Sequence, residues 1–254
     1  MTKQTRAVQA LILAAGNGTR LGLGGMAYPK PLAPLEGKPL LHRVLELAES
    51  AGIERFVVIT GGFDQALRAA FEQDELAPRI TFQFNPLHRL SNGVSALAAE
   101  PHCDARFALL MADHLFSPQV LLSMLDEPLE EGECLLAVDR KIGSCPDLPD
   151  ATKVRTREGR IVSLGKGLQP FDALDTGLFV CSRGLFEALR AVRRSGDCSL
   201  SDGMNHLARQ GRLRAFEIGP APWLDIDTPA ALGLASGLWR EVEKGLFSPV
   251  VPNG

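Results

Sequence analysis

The sequence predicts a three-layer α/β sandwich, with a mostly parallel central sheet covered by helices on both faces. Three observations carry that reading. Short apolar runs alternate with amphipathic segments through the first half of the chain. The first run, residues 10–15, opens directly into the glycine-rich turn Gly16-Asn17-Gly18, a ligand-type loop at the carboxyl end of a strand. The composition, 254 residues with 45% hydrophobic and 22% charged, suits a well-filled globular core.

Taken in order, residues 10–15 read as a buried strand. Residues 39–52 read as a helix, with Leu40, Leu41, Val44, Leu45, Leu47 and Ala48 on one side and Gly52 as its stop. Phe56-Val57-Val58-Ile59 forms the core of a second strand, closed by Gly61-Gly62. A helix follows over residues 64–73, with Asp64 as candidate cap. Residues 80–84 give a third strand, and Ser91-Asn92-Gly93 leads into a short helix over 94–99. The fourth strand, 107–112, delivers Asp113 at its end.

The second half is more mixed. It contains a strand at 134–139, a hairpin of 153–157 and 160–165 around Glu158-Gly159, and a strand at 175–181. Helices follow at 184–193 and 201–210, then a strand at 214–218, a turn at 223–228 and a C-terminal helix at 229–244. The acidic stretch 126–133 reads as a solvated loop, and Arg190, Arg193 and Arg194 as a solvated helix face. With no repeat, low-complexity tract or linker, residues 1–254 are expected to form one domain. Its first half runs to about residue 125 and its second half over 126–254.

A net charge of −3 without a basic stripe argues against nucleic acid as a partner. Five cysteines, an odd number with no Cys-x-x-Cys pair, argue against structural zinc and a disulfide framework, and point to a reducing, cytoplasmic setting. Lys3 and Arg6 precede an apolar run, but that run is short and leads into the glycine-rich turn, unlike a signal peptide. No stretch approaches the roughly 20 apolar residues that span a bilayer. A homo-oligomer is compatible with this sequence.

The turn carries the most chemistry. Gly16 and Gly18 permit close approach of backbone N–H groups to a ligand, and Arg20 and Lys30 add two spaced cations. An N–H nest with two cations is a receptor for a polyanion such as a triphosphate. The P-loop pattern is absent, and Leu21 stands where a dinucleotide fingerprint needs Gly or Ala. A glycine-rich turn that binds nothing is the bland alternative, and it leaves the two cations unexplained. Leu13-Ala14-Ala15-Gly16-Asn17-Gly18-Thr19-Arg20, followed by Pro29-Lys30-Pro31, resembles the signature of the nucleotidyltransferases that activate sugar phosphates and related phosphomonoesters. That resemblance implies a Rossmann-like sandwich of the nucleotide-diphospho-sugar transferase type. It also implies an enzyme that joins an NTP to a phosphate and releases pyrophosphate. One departure stands out: Gly22-Leu23-Gly24-Gly25 replaces the Pro-Leu-Thr common in sugar-phosphate members.

A triphosphate enzyme of this kind needs Mg2+, which takes carboxylate and phosphate oxygens. Asp113 lies at a strand end, and alternation in Trp223-Leu224-Asp225-Ile226-Asp227-Thr228 places Asp225 and Asp227 on one face. Each has a competing reading as a helix cap, before Pro118 or before Pro229. The resemblance favours Asp113 and Asp227 as metal ligands, with Asp225 in support. His114 is not expected to act as a base, because an attacking phosphate monoester is already anionic and catalysis reduces to alignment and charge neutralisation.

Further motifs occur in order: Asn92-Gly93-Val94-Ser95, Ala112-Asp113-His114, Ala151-Thr152-Lys153-Val154, Leu164-Gly165-Lys166, Asp175-Thr176-Gly177 and the Trp223 to Thr228 segment. Together they resemble the cytidylyltransferases that act on L-myo-inositol-1-phosphate. The resemblance implies that Ala14, Ala15, Gly16, Asn17, Gly18, Thr19, Asn92, Gly93 and Ser95 hold the cytidine part of CTP. Arg20 and Lys30 would be the catalytic cations on the triphosphate. Lys153 would meet the acceptor phosphate, and Asp175, Thr176 and Gly177 would line the acceptor pocket. Lys153 as an exposed strand lysine and Asp175 as a turn residue stay open, and Lys166 is unassigned. Members of that family are often fused to a membrane phosphatidyltransferase-like domain, which is not expected within these 254 residues. Two other readings remain: transfer to a sugar-1-phosphate, phosphocholine or phosphonate from CTP, UTP or dTTP, and a non-catalytic nucleotide-binding regulator.

Overall fold

The computed structural model describes residues 8–16 and 29–243; Asn17, Gly18, Thr19 and Arg20 of the glycine-rich turn lie outside the described residues. The first half contains β1 (Gln9–Ala14), the two-residue strands β2 (Pro34–Leu35) and β3 (Lys38–Pro39), α1 (Leu40–Ser50), β4 (Arg55–Thr60), α2 (Asp64–Phe71) and β5 (Ile80–Phe84). It continues through α3 (Asn92–Ala98), β6 (Arg106–Met111), β7 (His114–Phe116) and α4 (Pro118–Asp126). The second half adds β8 (Cys134–Asp139), β9 (Lys153–Arg157), β10 (Arg160–Gly165), β11 (Ala173–Ser182), α5 (Gly184–Val192) and α6 (Leu200–Arg209). β12 (Leu213–Glu217), β13 (Trp223–Asp225) and α7 (Pro229–Glu243) complete the described chain.

Nine strands form one sheet in the order β5-β4-β1-β6-β11-β8-β12-β10-β9. Alternation along β1 sends Ala10, Ile12 and Ala14 into one apolar layer and Leu11 into the other. The first layer holds the buried faces of α1, α2, α4 and α7, and the second those of α3, α5 and α6. The expected three-layer sandwich is therefore present.

The expected parallel order is not: the sheet is mixed. The β5/β4, β4/β1, β1/β6 and β8/β12 pairs are parallel, whereas β11 runs antiparallel to β6, β8 and β9, and β10 antiparallel to β9 and β12. The cause lies in the connections. Parallel neighbours need a crossover of a dozen or more residues, commonly a helix, and helices separate the strands as far as β6. No α-helix intervenes between β8 and β11. The β9/β10 turn is also only two residues long: Glu158 at φ 51° and Gly159 at φ 73° match the turn that closes antiparallel hairpins.

Local readings are refined elsewhere. Asp64 lies in the first turn of α2 rather than capping it, and its carboxylate receives Arg68 Nε at 2.9 Å. In the acidic stretch 126–133, Glu133 is buried and pairs with Arg160 at 3.0 Å. Thr228 caps α7, its Oγ1 accepting from Ala231 N at 3.1 Å, which relieves Asp227 of that duty.

Candidate active site

The site is assembled at the carboxyl ends of β1 and β6. Ala112 N donates to Leu13 O at 3.3 Å, which keeps the end of β6 beside that of β1 and brings Asp113 out at the edge. The chain then turns into β7, which pairs with β13 as a separate antiparallel ribbon: His114 opposes Asp225 and Phe116 opposes Trp223. Ile226 N donates to Asp113 O at 3.0 Å. Through that ribbon two carboxylates more than 100 positions downstream in the chain reach Asp113.

Lys30 starts a short 3-10 turn between Pro29 and Pro31 and is buried. Its Nζ donates to both Asp113 and Asp227, and lies 3.7 Å from Asp225. Burial by itself disfavours an ammonium, but the charges of Asp113 and Asp225 and the two hydrogen bonds outweigh it and raise the Lys30 pKa. Three carboxylates around one cation leave local negative charge to spare.

His114, not expected to act as a base, belongs to this cluster. Its Nδ1 donates to Thr176 O at 2.9 Å, so Nε2 faces Asp225 at 3.5 Å and Asp113 at 3.6 Å. Burial would lower its pKa; the charges of Asp225 and Asp113 override that and raise it to about 10. Gly177, at φ 76°, makes this approach possible, because a Cβ there would stand 2.2 Å from His114 Nδ1. The irregularity in β11 pairing between Asp175 and Phe179 creates the bend. Asp175 Oδ1 accepts from Gly177 N at 2.8 Å, and burial raises its carboxyl to about 6.

Asp113, His114 and Asp225 each offer a ligand atom within 4.8 Å of one another. Asp225 Oδ1 is buried and makes no hydrogen bond. A carboxylate oxygen held only by the looser ion pairs to His114 and Lys30, beside two further carboxylates, fits a hard divalent cation.

A cavity of about 640 Å³ opens from this cluster. Asp113, His114, Asp175, Gly177, Asp225 and Asp227 line it, together with Asn92, Lys141, Lys166 and apolar Phe179, Leu200 and Met204. Several expected contacts are placed differently. Lys153 is buried, with its ammonium on Pro149 O at 2.8 Å, and is absent from the lining. Lys166, just past the end of β10, instead reaches the cavity and pairs with Asp150 at 2.5 Å. Thr176 turns its hydroxyl to Ala137 O at 2.9 Å. Gly93 packs where a Cβ would lie 2.5 Å from Cys198 O, and Ser95 accepts from Asn85 at 3.0 Å, so both serve packing. Asn92 Oδ1 accepts from Leu200 N at 2.8 Å while lining the cavity. Ala14 and Ala15 are buried at the strand end, and among the described residues none lies within 4 Å of where a Cβ on Gly16 would stand.

Among the described residues, no helix is long and apolar enough to cross a membrane. Residues 10–212 match the family described as the MobA-like NTP transferase domain. A bifunctional IPC transferase and DIPP synthase of Rubrobacter xylanophilus is 37% identical over 231 residues, 90% of this chain and 51% of that protein. The protein of the same name from Archaeoglobus fulgidus is 32% identical over 87% of this chain and 41% of its own length. The chain thus spans about half the length of these relatives. Among solved structures, the inositol-1-phosphate CTP transferase from T. maritima superposes with a TM-score of 0.83 at 27% identity, covering 97% of this chain and 100% of that one. A UDP-glucose pyrophosphorylase bound to UDP-glucose shares the fold, with a TM-score of 0.74 at 19% identity over 93% and 99% of the two chains. With four-fifths of its length matched and the strand-end site in place, the chain belongs to the MobA-like NTP transferase family.

Proposed function

We propose that this protein is a cytidylyltransferase that moves a cytidylyl group from CTP to inositol-1-phosphate, giving a CDP-alcohol and pyrophosphate. The observation that carries the proposal is Lys30 held among Asp113, Asp225 and Asp227, three carboxylates that line the cavity. The names of the Rubrobacter, Archaeoglobus and T. maritima proteins supply the substrate pair.

An oxygen of the acceptor phosphate attacks the α-phosphorus, and the bond from that phosphorus to the pyrophosphate leaving group breaks. The nucleophile is already anionic, so the chain's task is alignment and neutralisation of charge. Lys30 leaves its carboxylate partners to meet the triphosphate, with Arg20 as the second cation. The Ala14 to Thr19 backbone cradles the nucleotide, with Asn92 alongside. Mg2+, when bound, supplies positive charge to the phosphates; Asp113 and Asp227 would hold it, with Asp225 beside them. Asp175 and Gly177 receive the acceptor's hydroxyls. We assign the acceptor phosphate to Lys166 rather than Lys153. Lys166 faces the cavity with one carboxylate partner, whereas the Lys141 ammonium already serves Asp139 and two backbone carbonyls. The two halves of the chain act as one domain in this reading.

The test is a panel of CTP, UTP and dTTP against inositol-1-phosphate, glucose-1-phosphate and phosphocholine, read by pyrophosphate release. CTP with inositol-1-phosphate is expected to give the highest kcat/KM. A preference for glucose-1-phosphate, or CTP as the poorest nucleotide, overturns the assignment of substrates and leaves the nucleotidyltransferase reading. Release from no pair overturns that as well.

A further inference from the structure

The ribbon of β7 and β13 pairs with no strand of the main sheet, yet it delivers the carboxylates on which the proposed chemistry depends. Something must hold it in register with β8 and β11. The indole of Trp223, at the start of β13, meets that need. Its Nε1 donates to Asp139 Oδ2 at 2.7 Å, and Asp139 is the buried last residue of β8. The other oxygen of Asp139 accepts from Lys141 N at 2.8 Å and Lys141 Nζ at 2.7 Å. Lys141 Nζ also donates to Gly219 O at 2.6 Å and Ala221 O at 3.2 Å, two carbonyls on the approach to β13. The Trp223 ring stands 6.2 Å from that of His114.

We infer that Asp139, Lys141 and Trp223 form a latch that positions Asp225 and Asp227 against Asp113, and that all three are positioning residues for the divalent-cation site. A phenylalanine would keep an aromatic ring on the His114 side but would lose the N–H. That N–H ties β13 to β8, as the His114 bond to Thr176 O ties β7 to β11. Asp139 lines the cavity, but both of its oxygens are engaged within the latch, so it is not set to receive an acceptor hydroxyl. Charge-assisted bonds of this kind are short and strong, and partners one step removed from a metal site tune its affinity.

This inference rests on the proposed function for its catalytic readout, but not for its binding readout. The experiment uses the full chain, with Trp223→Phe, Asp139→Ala and the double variant. Mn2+ serves as probe, titrated by electron paramagnetic resonance in the absence of nucleotide and acceptor. Trp223→Phe is expected to weaken Mn2+ binding and lower kcat by about 10-fold each, with acceptor KM unchanged and a cooperative melt retained. Adding Trp223→Phe to Asp139→Ala is expected to cost nothing further, because the two act through one bond. Wild-type Mn2+ affinity in a folded Trp223→Phe overturns the latch. Additive losses in the double variant overturn it too, as does a rise in acceptor KM at unchanged Mn2+ affinity, which would mean that Trp223 touches the acceptor. If Asp139→Ala fails to fold, Asp139→Leu replaces it in the cycle, since the side chain fills the carboxylate's space and offers the indole no acceptor. Failure of the wild type to release pyrophosphate from any substrate pair would refute the proposed function, while the Mn2+ titration still decides the latch.

Discussion

Gly177 and His114 lie so close that a single added carbon at Gly177 would stand 2.2 Å from the imidazole Nδ1. Two independent demands meet at that glycine: its φ of 76° and the room for the His114 ring, whose Nδ1 donates to the preceding carbonyl of Thr176.

Gly177→Ala is therefore expected to push His114 away from Asp225 and Asp113. The backbone strain costs roughly 1–2 kcal/mol of stability. Turnover should fall by about 10² or more, as for a misplacement of about 1 Å in an active site. Steady-state kinetics together with a thermal melt check this; unchanged turnover would show that the His114 position is immaterial to the reaction.

Lys30→Ala removes the cation shared by three carboxylates. A loss of roughly 10²–10³ in kcat is expected, typical of removing one electrostatic donor in a water-excluded site. The variant should remain folded by circular dichroism. Near-normal turnover would take Lys30 out of the catalytic set.

Metal dependence follows from Asp113 and Asp227. EDTA should abolish activity and Mg2+ restore it, and Asp113→Asn or Asp227→Asn should each raise the Mg2+ concentration needed for half-maximal rate. Full activity in metal-free enzyme would end the divalent-cation reading, with the nucleotide assay as the measurement.

The two lysines of the acceptor half can be told apart kinetically. Lys166→Met should raise the KM for the phosphorylated acceptor while leaving that for CTP near normal, because Lys166 lines the cavity. Lys153→Met should instead act on stability, because its ammonium is buried against Pro149 O. The reverse pattern of KM and melting temperature would restore Lys153 to the acceptor site.

A pH prediction arises away from the site. Burial alone would raise the Glu46 carboxyl, but the contact with His42 Nδ1 at 3.3 Å and the hydrogen bonds from Lys38 and Arg43 prevail and lower it from 4.5 to about 2. A depressed carboxylate pKa contributes stability above the unfolded value, and that contribution is lost as pH falls from about 4.5 through about 2. Glu46→Gln should therefore lower the melting temperature at pH 7, with the gap to wild type closing towards pH 2. A gap that stays constant from pH 7 to pH 2 would count against this network. Added salt should narrow the gap, since Glu46 is part-exposed and Lys38 more so.

The sequence by itself determined the alternation of strands and helices, and it singled out Lys30, Asp113, Asp225 and Asp227 as a set. The first was legible from local periodicity, the second from the resemblance of their motifs to the nucleotidyltransferase signature. What the tertiary structure decided was direction, register and facing. β11 enters antiparallel between β6 and β8, a choice made by the lack of a helix after β8 rather than by any property of its own residues. Lys153 and Lys166 are equally basic in the sequence; hairpin register and strand length turn one inward and leave the other at the cavity. His114 could be set aside on chemical grounds, yet a carbonyl, a bulge and a missing Cβ from β11 draw it among the carboxylates. Such contacts join residues some 60 positions apart, and no local pattern encodes them. They arise only when packing brings two chain segments to the same edge of the sheet.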